Sequence, residues 1–217
     1  MIENISGLSA GELQKLKRGE VLPVMEEFYS IQGEGFHSGT AAWFIRIGGC
    51  DVGCRWCDVK ESWNPKHFPP VDTRSVVRRA VESGASTVVV TGGEPLSYNL
   101  DLLCDGLKAN GIATHIESSG SDRVSGRWDW ICLSPKKTKA PVEEIYSIAD
   151  ELKIIVAGES DLKWAEENRA KVGKDCRLFL QPEWSRREDA VKIIVDYVLK
   201  NPQWKVSLQI HKYMHIP

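Results

Sequence analysis

Short apolar runs alternate with amphipathic segments along most of the chain. The runs AAWFIRIGG, STVVVTGG, GIATHIES, WDWICLS, ELKIIVAG, CRLFLQP and WKVSLQIH read as strands. Most are apolar on both faces, the pattern of strands covered from two sides. Between them lie helices. SRREDAVKIIVDYVLKNP is the clearest, with Ser185 expected as N-cap, Glu188 in the first turn and Pro202 beyond the end. TRSVVRRAVESG is similar, with Gly84 as its stop. Ahead of the first strand, Ser9 and Glu12 form a capping-box pattern followed by Leu13 and Leu16 on one face, which predicts a short helix in an N-terminal extension, 1–20. Strand, helix, strand order repeated over roughly 170 residues implies an α/β fold, a parallel sheet of about six or seven strands joined by right-handed crossovers. That is too few units for an eightfold barrel. An open, partial (β/α) barrel of about six parallel strands is expected, with its chemistry at the C-terminal ends of the strands. The 217 residues fit one domain, 1–217, with its own core.

Composition narrows the field by exclusion. With 28 Lys and Arg against 30 Asp and Glu, the net charge is −2, which gives no overall pull toward a phosphate backbone or an anionic membrane. No window reaches the roughly 18 apolar residues of a spanning helix, and MIENISGLSAGELQKLKRGE lacks the apolar centre of a signal peptide. The expectation is a cytoplasmic protein that binds neither nucleic acid nor membrane. In that reducing compartment the six cysteines read as thiols or metal ligands rather than bridges.

Cys50, Cys54 and Cys57 fall in GGCDVGCRWCD, directly after the strand WFIRIGG, where an α/β fold carries its functional loops. Cys104, Cys132 and Cys176 are single and scattered, and read as small buried hydrophobes. A structural zinc site needs a fourth ligand and usually a second paired motif. Three closely spaced thiolates suit a cubane iron–sulfur cluster instead, with one iron left open to a ligand. A second strand end, VVVTGGEP, offers two glycines where a backbone can approach a ligand closely, followed by Glu94 and Pro95.

CDVGCRWC matches in full the C-x-x-x-C-x-x-C pattern of the radical S-adenosylmethionine superfamily, with Trp56 before the last cysteine, and TGGEP resembles its GGEP motif. The resemblance implies a radical SAM core, a 4Fe-4S cluster on Cys50, Cys54 and Cys57, and S-adenosyl-L-methionine chelated at the open iron. Within the superfamily, EEFYSIQGEGFHSGTAAWFIRIGGC and then, in chain order, TGGEP, IESSG, LSPK, LKIIV, LQP and SLQIHKYMHIP resemble the 7-carboxy-7-deazaguanine synthase family. The likeness runs from about Glu27 to Pro217. It implies conversion of 6-carboxy-5,6,7,8-tetrahydropterin to 7-carboxy-7-deazaguanine with release of ammonia, a carbon–nitrogen lyase reaction that feeds queuosine and other 7-deazapurines.

By the same resemblance, substrate contacts fall at Ile31, Gln32, Gly33, Glu34, Arg46, Thr91 and the terminal Pro217. Cofactor contacts fall at Gly92, Gly93, Glu94, Ser134, Pro135, Lys136 and Gln181. Arg46 is suited to a bidentate carboxylate clamp. Glu117 and His211, both expected at strand C-terminal ends, are the candidates for steering protons. The likeness further implies a homodimer, a flavodoxin or ferredoxin as electron donor, and a Mg2+ ion on the substrate carboxylate.

At one point the chain departs from the family pattern. The position two after the last cluster cysteine often carries a Thr or Ser hydroxyl for the metal, whereas CDVK places Val59 there and leaves Asp58 nearby, expected to act on the Mg2+ site through a water. Two other readings stay open from sequence. A glycyl-radical-activating or other small radical enzyme shares the cysteine spacing but acts on a protein partner, and IQGEG and LQIHK argue against it. A non-catalytic zinc-binding module is the second.

Overall fold

The structure, a computed structural model, describes residues 9–217; residues 1–8 of the expected extension lie outside the described residues. The predicted capping box forms. Ser9 N donates to Glu12 Oε2 at 2.8 Å and Glu12 N to Ser9 Oγ at 3.3 Å, which starts α1 (Ala10–Lys17) and lets Leu16 enter the core. Next come β1 (Val21–Leu22), β2 (Val24–Ile31) and β3 (Ala41–Ile47). Beyond the cysteine loop lie β4 (Val71–Asp72), α2 (Thr73–Glu82), β5 (Thr87–Gly92), α3 (Asp101–Ala109), β6 (Ala113–Ser118) and β7 (Trp130–Leu133). The chain ends with α4 (Glu143–Ile148), β8 (Glu151–Val156), α5 (Ser160–Arg169), β9 (Arg177–Pro182), α6 (Arg187–Lys200), β10 (Trp204–Val206) and α7 (Ile210–Met214).

Eight strands form one sheet in the order β10-β9-β8-β7-β6-β5-β3-β2, while β1 and β4 make a separate antiparallel pair. Every neighbouring pair in the large sheet is parallel except β2 with β3. The seven parallel strands are the seven apolar runs. Their monotonic order is that of a sheet wound in one direction, and its two edges meet beyond the strand ends: Ile210 N donates to Gly33 O at 2.9 Å, and Gly35 N to Ser207 Oγ at 2.9 Å. The sheet is therefore a partial barrel, as the pattern predicted, with an additional antiparallel strand at one edge.

That edge strand, β2, escaped the apolar pattern because Glu26 and Glu27 interrupt it. Both charges are matched in the fold, Glu26 by Arg46 across the β2–β3 ladder at 2.6 Å and Glu27 by Arg79 of α2. Core residues such as Ile45, Val88, Val90, Leu152, Ile154 and Leu180 are fully or almost fully buried, and each contributes on the order of 1.5–3 kcal/mol through its removal from water. Helix α2 adds Val76 and Ala80, α6 adds Ala190 and Ile194. No helix among the described residues is long and apolar enough to cross a membrane.

Two local expectations are corrected. Ser185 is not the N-cap of α6; it lies in a 3-10 turn, Trp184–Arg186, capped by Glu183, which accepts from Ser185 N at 3.0 Å and Ser185 Oγ at 2.6 Å. The run WKVSLQIH does not stay extended to His211 either. β10 stops at Val206 because Ser207 turns into the molecule, donating to Gln181 Oε1 at 2.7 Å, and His211 then rides on α7 rather than on a strand.

Candidate active site

A cavity of ≈ 720 Å³ opens at the C-terminal ends of the parallel strands. It is lined by every residue singled out for chemistry in the sequence except Pro135, which is buried beside it. The size falls within the range of ligand pockets.

The cysteine loop leaves β3 and is held from outside by the turn Lys60–Trp63: Gly49 N donates to Ser62 O at 2.5 Å and Cys50 N to Trp63 O at 3.2 Å. Cys57 N donates to Cys54 O at 3.1 Å, which folds the loop back on itself. All three thiols face the cavity. Burial, with help from Glu94 and Cys54, pushes the Cys50 thiol up to about 11, so an incoming metal has to displace its proton. Among the described residues, no three His, Cys, Asp or Glu side chains gather around one point as a single-ion site requires. A cubane, which gives each thiolate its own iron, does not require them to.

β3 and β5 are paired so that Ile47 lies opposite Gly92, which sets the glycine turn against the start of the cysteine loop. Gly93 N donates to Ile47 O and Glu94 N to Gly49 O, each at 2.8 Å. A Cβ on Gly92, whose φ is +127°, would sit 2.3 Å from Ile47 O, and one on Gly93 2.2 Å from Gly49 O. Only glycines allow this approach. The Glu94 carboxylate is not a free ligand. It accepts from Ser118 Oγ at 2.5 Å, Ser119 N at 2.9 Å, Leu96 N at 3.1 Å and Ser119 Oγ, so its side chain clamps IESSG and leaves the backbone of GGE to face a ligand. On the next wall Lys136 Nζ donates to Ser134 O at 2.7 Å and Ser134 Oγ at 2.6 Å, and lies 5.5 Å from the centre of the Trp56 ring.

The opposite side is a polar network assembled from four distant segments. Gln32 Nε2 donates to Glu117 Oε1 at 2.7 Å, Gln209 Nε2 to Glu34 Oε1 at 2.8 Å, and Lys153 Nζ to both Glu34 Oε2 (2.5 Å) and Glu117 Oε2 (2.9 Å). Burial alone would raise the Glu34 carboxyl, but the Lys153 ammonium and the amides of Gln209 and Gln181 hold it down at about 2. Burial likewise acts to depress Lys153, yet Cys132, Glu117, Glu34 and Glu151 facing it push its pKa well above the usual value. His211 packs on Gly33, where an added Cβ would lie 2.1 Å from its Nδ1. Burial lowers its pKa, opposed by Glu34, which favours the neutral imidazole.

Sequence reasoning missed Lys153 and Gln209. The signal for Lys153 was a single lysine inside the apolar run ELKIIV, where only a paired ammonium is tolerated. At the rim, Arg46 Nε is committed to Glu26 Oε1, which leaves its terminal nitrogens for a ligand, and Pro217 O accepts from Ser30 Oγ at 3.1 Å. Ile31 and Thr91 line the cavity beside them.

Comparison with known proteins decides the family. The sequence profile of the radical SAM superfamily matches residues 44–132. The 7-carboxy-7-deazaguanine synthase of Flavobacterium psychrophilum is 58% identical over 202 residues, which is 93% of this chain and 96% of the relative. The chain belongs to the 7-carboxy-7-deazaguanine synthase family. That of Synechocystis is 45% identical over 89% of this chain and 93% of the relative, and the crystal structure of QueE from Escherichia coli superposes with a TM-score of 0.79 at 28% identity, covering 93% of this chain and 99% of that one.

As a radical SAM enzyme, the chain takes a 4Fe-4S cluster and S-adenosyl-L-methionine, and its residues fit them: three thiols line the cavity with no fourth among the described residues, beside a glycine turn held against the start of the cysteine loop. At the position where the family pattern puts the hydroxyl, they do not supply one for Mg2+. Val59 has no side-chain oxygen, its carbonyl is occupied by Ser62 N (3.1 Å) and Ser62 Oγ (2.6 Å), and the Asp58 carboxylate is paired with Lys212 Nζ at 2.6 Å.

Proposed function

We propose that the chain converts 6-carboxy-5,6,7,8-tetrahydropterin to 7-carboxy-7-deazaguanine and ammonia, in the biosynthesis of queuosine and other 7-deazapurines. Loss of ammonia with ring contraction is redox-neutral, so the cofactor acts catalytically. The single observation that carries this reading is the convergence in one cavity of the cluster cysteines with the amide and carboxylate groups of the QGEG turn, β6 and β8. The cluster and S-adenosyl-L-methionine supply a 5′-deoxyadenosyl radical that opens the reaction.

The chain's own groups do the rest. Glu34, ionised and held by Lys153 and Gln209, accepts from the aminopyrimidinone edge; Gln32 and the backbone of Ile31 and Gly33 complete that contact. The terminal nitrogens of Arg46, beside Thr91 and Pro217, grip the carboxylated end. Gly92, Gly93, Ser134, Lys136 and Gln181 border the cofactor, with Glu94 setting the turn and Pro135 supporting it from below. Glu117 and the neutral His211 move protons toward the departing nitrogen. Supporting assignments are a cytoplasmic homodimer, a flavodoxin or ferredoxin as reductant, and one domain throughout.

Anaerobic incubation of the reconstituted protein with dithionite, S-adenosyl-L-methionine and the carboxytetrahydropterin tests this reading. It expects 7-carboxy-7-deazaguanine and ammonia in equal amounts; cleavage of S-adenosyl-L-methionine with the pterin left intact refutes it.

A further inference from the structure

We infer that this chain supplements the Arg46 grip on its substrate's carboxylate with the ammonium of Lys60, at the place where the family pattern puts a metal ion on a hydroxyl. The inference rests on the pterin reading above. It starts from the mismatch at Val59, where neither the side chain nor the carbonyl is available and the Asp58 carboxylate is held by Lys212. A hard cation asks for oxygen ligands in near-octahedral array, and beside Val59 only the second oxygen of Asp58, Oδ1, is left without a partner among the described residues.

The next residue supplies charge instead. Lys60 lines the same cavity, and its ammonium has no hydrogen-bond or ion-pair partner among the described residues. Its backbone begins the turn Lys60–Trp63, which is fixed to the cysteine loop through Gly49 N and Cys50 N. The lysine is thus anchored at its root, and its exposed four-carbon side chain borders the cavity. Other cavity cations are committed: Lys153 to Glu34 and Glu117, Lys212 to Asp58, Arg46 in part to Glu26, and Lys136 to Ser134 O and Oγ beside the Trp56 ring. Arg55 also has no partner among the described residues, but it sits between Cys54 and Cys57, on the cluster's own loop. An oxygen missing at position 59 and a cation present at position 60 are two halves of one exchange, a tethered ammonium for a bound Mg2+.

The test is pterin binding by calorimetry, to reconstituted protein loaded with S-adenosyl-L-methionine, in EDTA and in Mg2+, with product formation followed in parallel. Wild-type affinity is expected to agree within about twofold between the two conditions, and Lys60→Met to weaken binding by about tenfold or more in EDTA. The double variant Val59→Thr, Lys60→Ala is expected to recover affinity only when Mg2+ is present. Wild-type binding that collapses in EDTA, Lys60→Met binding like wild type, or the loss appearing in Arg55→Met alone overturns the inference. Product formed only with Mg2+ overturns it while leaving the pterin reading intact, and no product in either condition removes both.

Discussion

Lys153 Nζ lies 2.5 Å from Glu34 Oε2, so an ammonium with 3% of its side chain exposed ties β8 to the turn after β2 across the cavity. Neither residue is near the other in sequence, and the second carboxylate, Glu117, comes from a third element.

Removing that ammonium leaves two carboxylates in a dry site. Lys153→Met is expected to destabilise the fold by about 3 to 5 kcal/mol and to abolish turnover. Denaturant unfolding of wild type and variant checks the first effect; a loss of activity with unchanged stability would show that Lys153 is not structural support for the site.

Glu117→Gln keeps the shape of the network and removes one charge and one proton site. Turnover is expected to fall by about 100-fold or more with little change in unfolding midpoint, since an amide oxygen still accepts from Gln32 or Lys153. Steady-state kinetics beside thermal melting measure the pair. Activity within a factor of about three of wild type would exclude Glu117 from proton transfer.

His115 sets an acid limit on the fold. Burial, with the neighbouring His37 acting in the same direction and Asp129 against it, lowers its pKa from 6.5 to about 4. Between those values the unfolded chain binds a proton that the folded chain does not, so stability falls as pH drops through that window. His115→Gln is expected to flatten the slope in part, leaving the contribution of His37, whose pKa burial also lowers. Melting temperatures at pH about 7 and about 5 test this, and an unchanged slope in the variant contradicts it.

The proposed substrate contact at Pro217 is open to a direct test. Pro217 lines the cavity and its oxygen is held by Ser30 Oγ at 3.1 Å. A C-terminal tag is expected to lower kcat/KM by about tenfold or more through misplacement without moving the melting temperature; equal kinetics for N- and C-terminally tagged protein would refute the contact.

The parallel strands were legible because burial from both sides makes each a nearly unbroken apolar run. β2 was not, since its glutamates find arginine partners only in three dimensions. His211 was found as a residue and misplaced as an element, because alternating SLQIH mimics a strand until Ser207 turns inward to Gln181. The cluster loop and the glycine turn were legible from local spacing. Lys153 and Gln209 were not, because their meaning lies in contacts with Glu34, more than a hundred residues away.

The central claim is that Cys50, Cys54 and Cys57 hold a cubane whose open iron takes S-adenosyl-L-methionine. Electron paramagnetic resonance of the dithionite-reduced, anaerobically reconstituted protein tests it most directly, together with metal analysis. The account predicts about four irons per chain, a cubane signal that shifts when S-adenosyl-L-methionine is added, and loss of that signal in Cys54→Ala. Zinc in place of iron, a signal indifferent to S-adenosyl-L-methionine, or an unaltered signal in Cys54→Ala would contradict it.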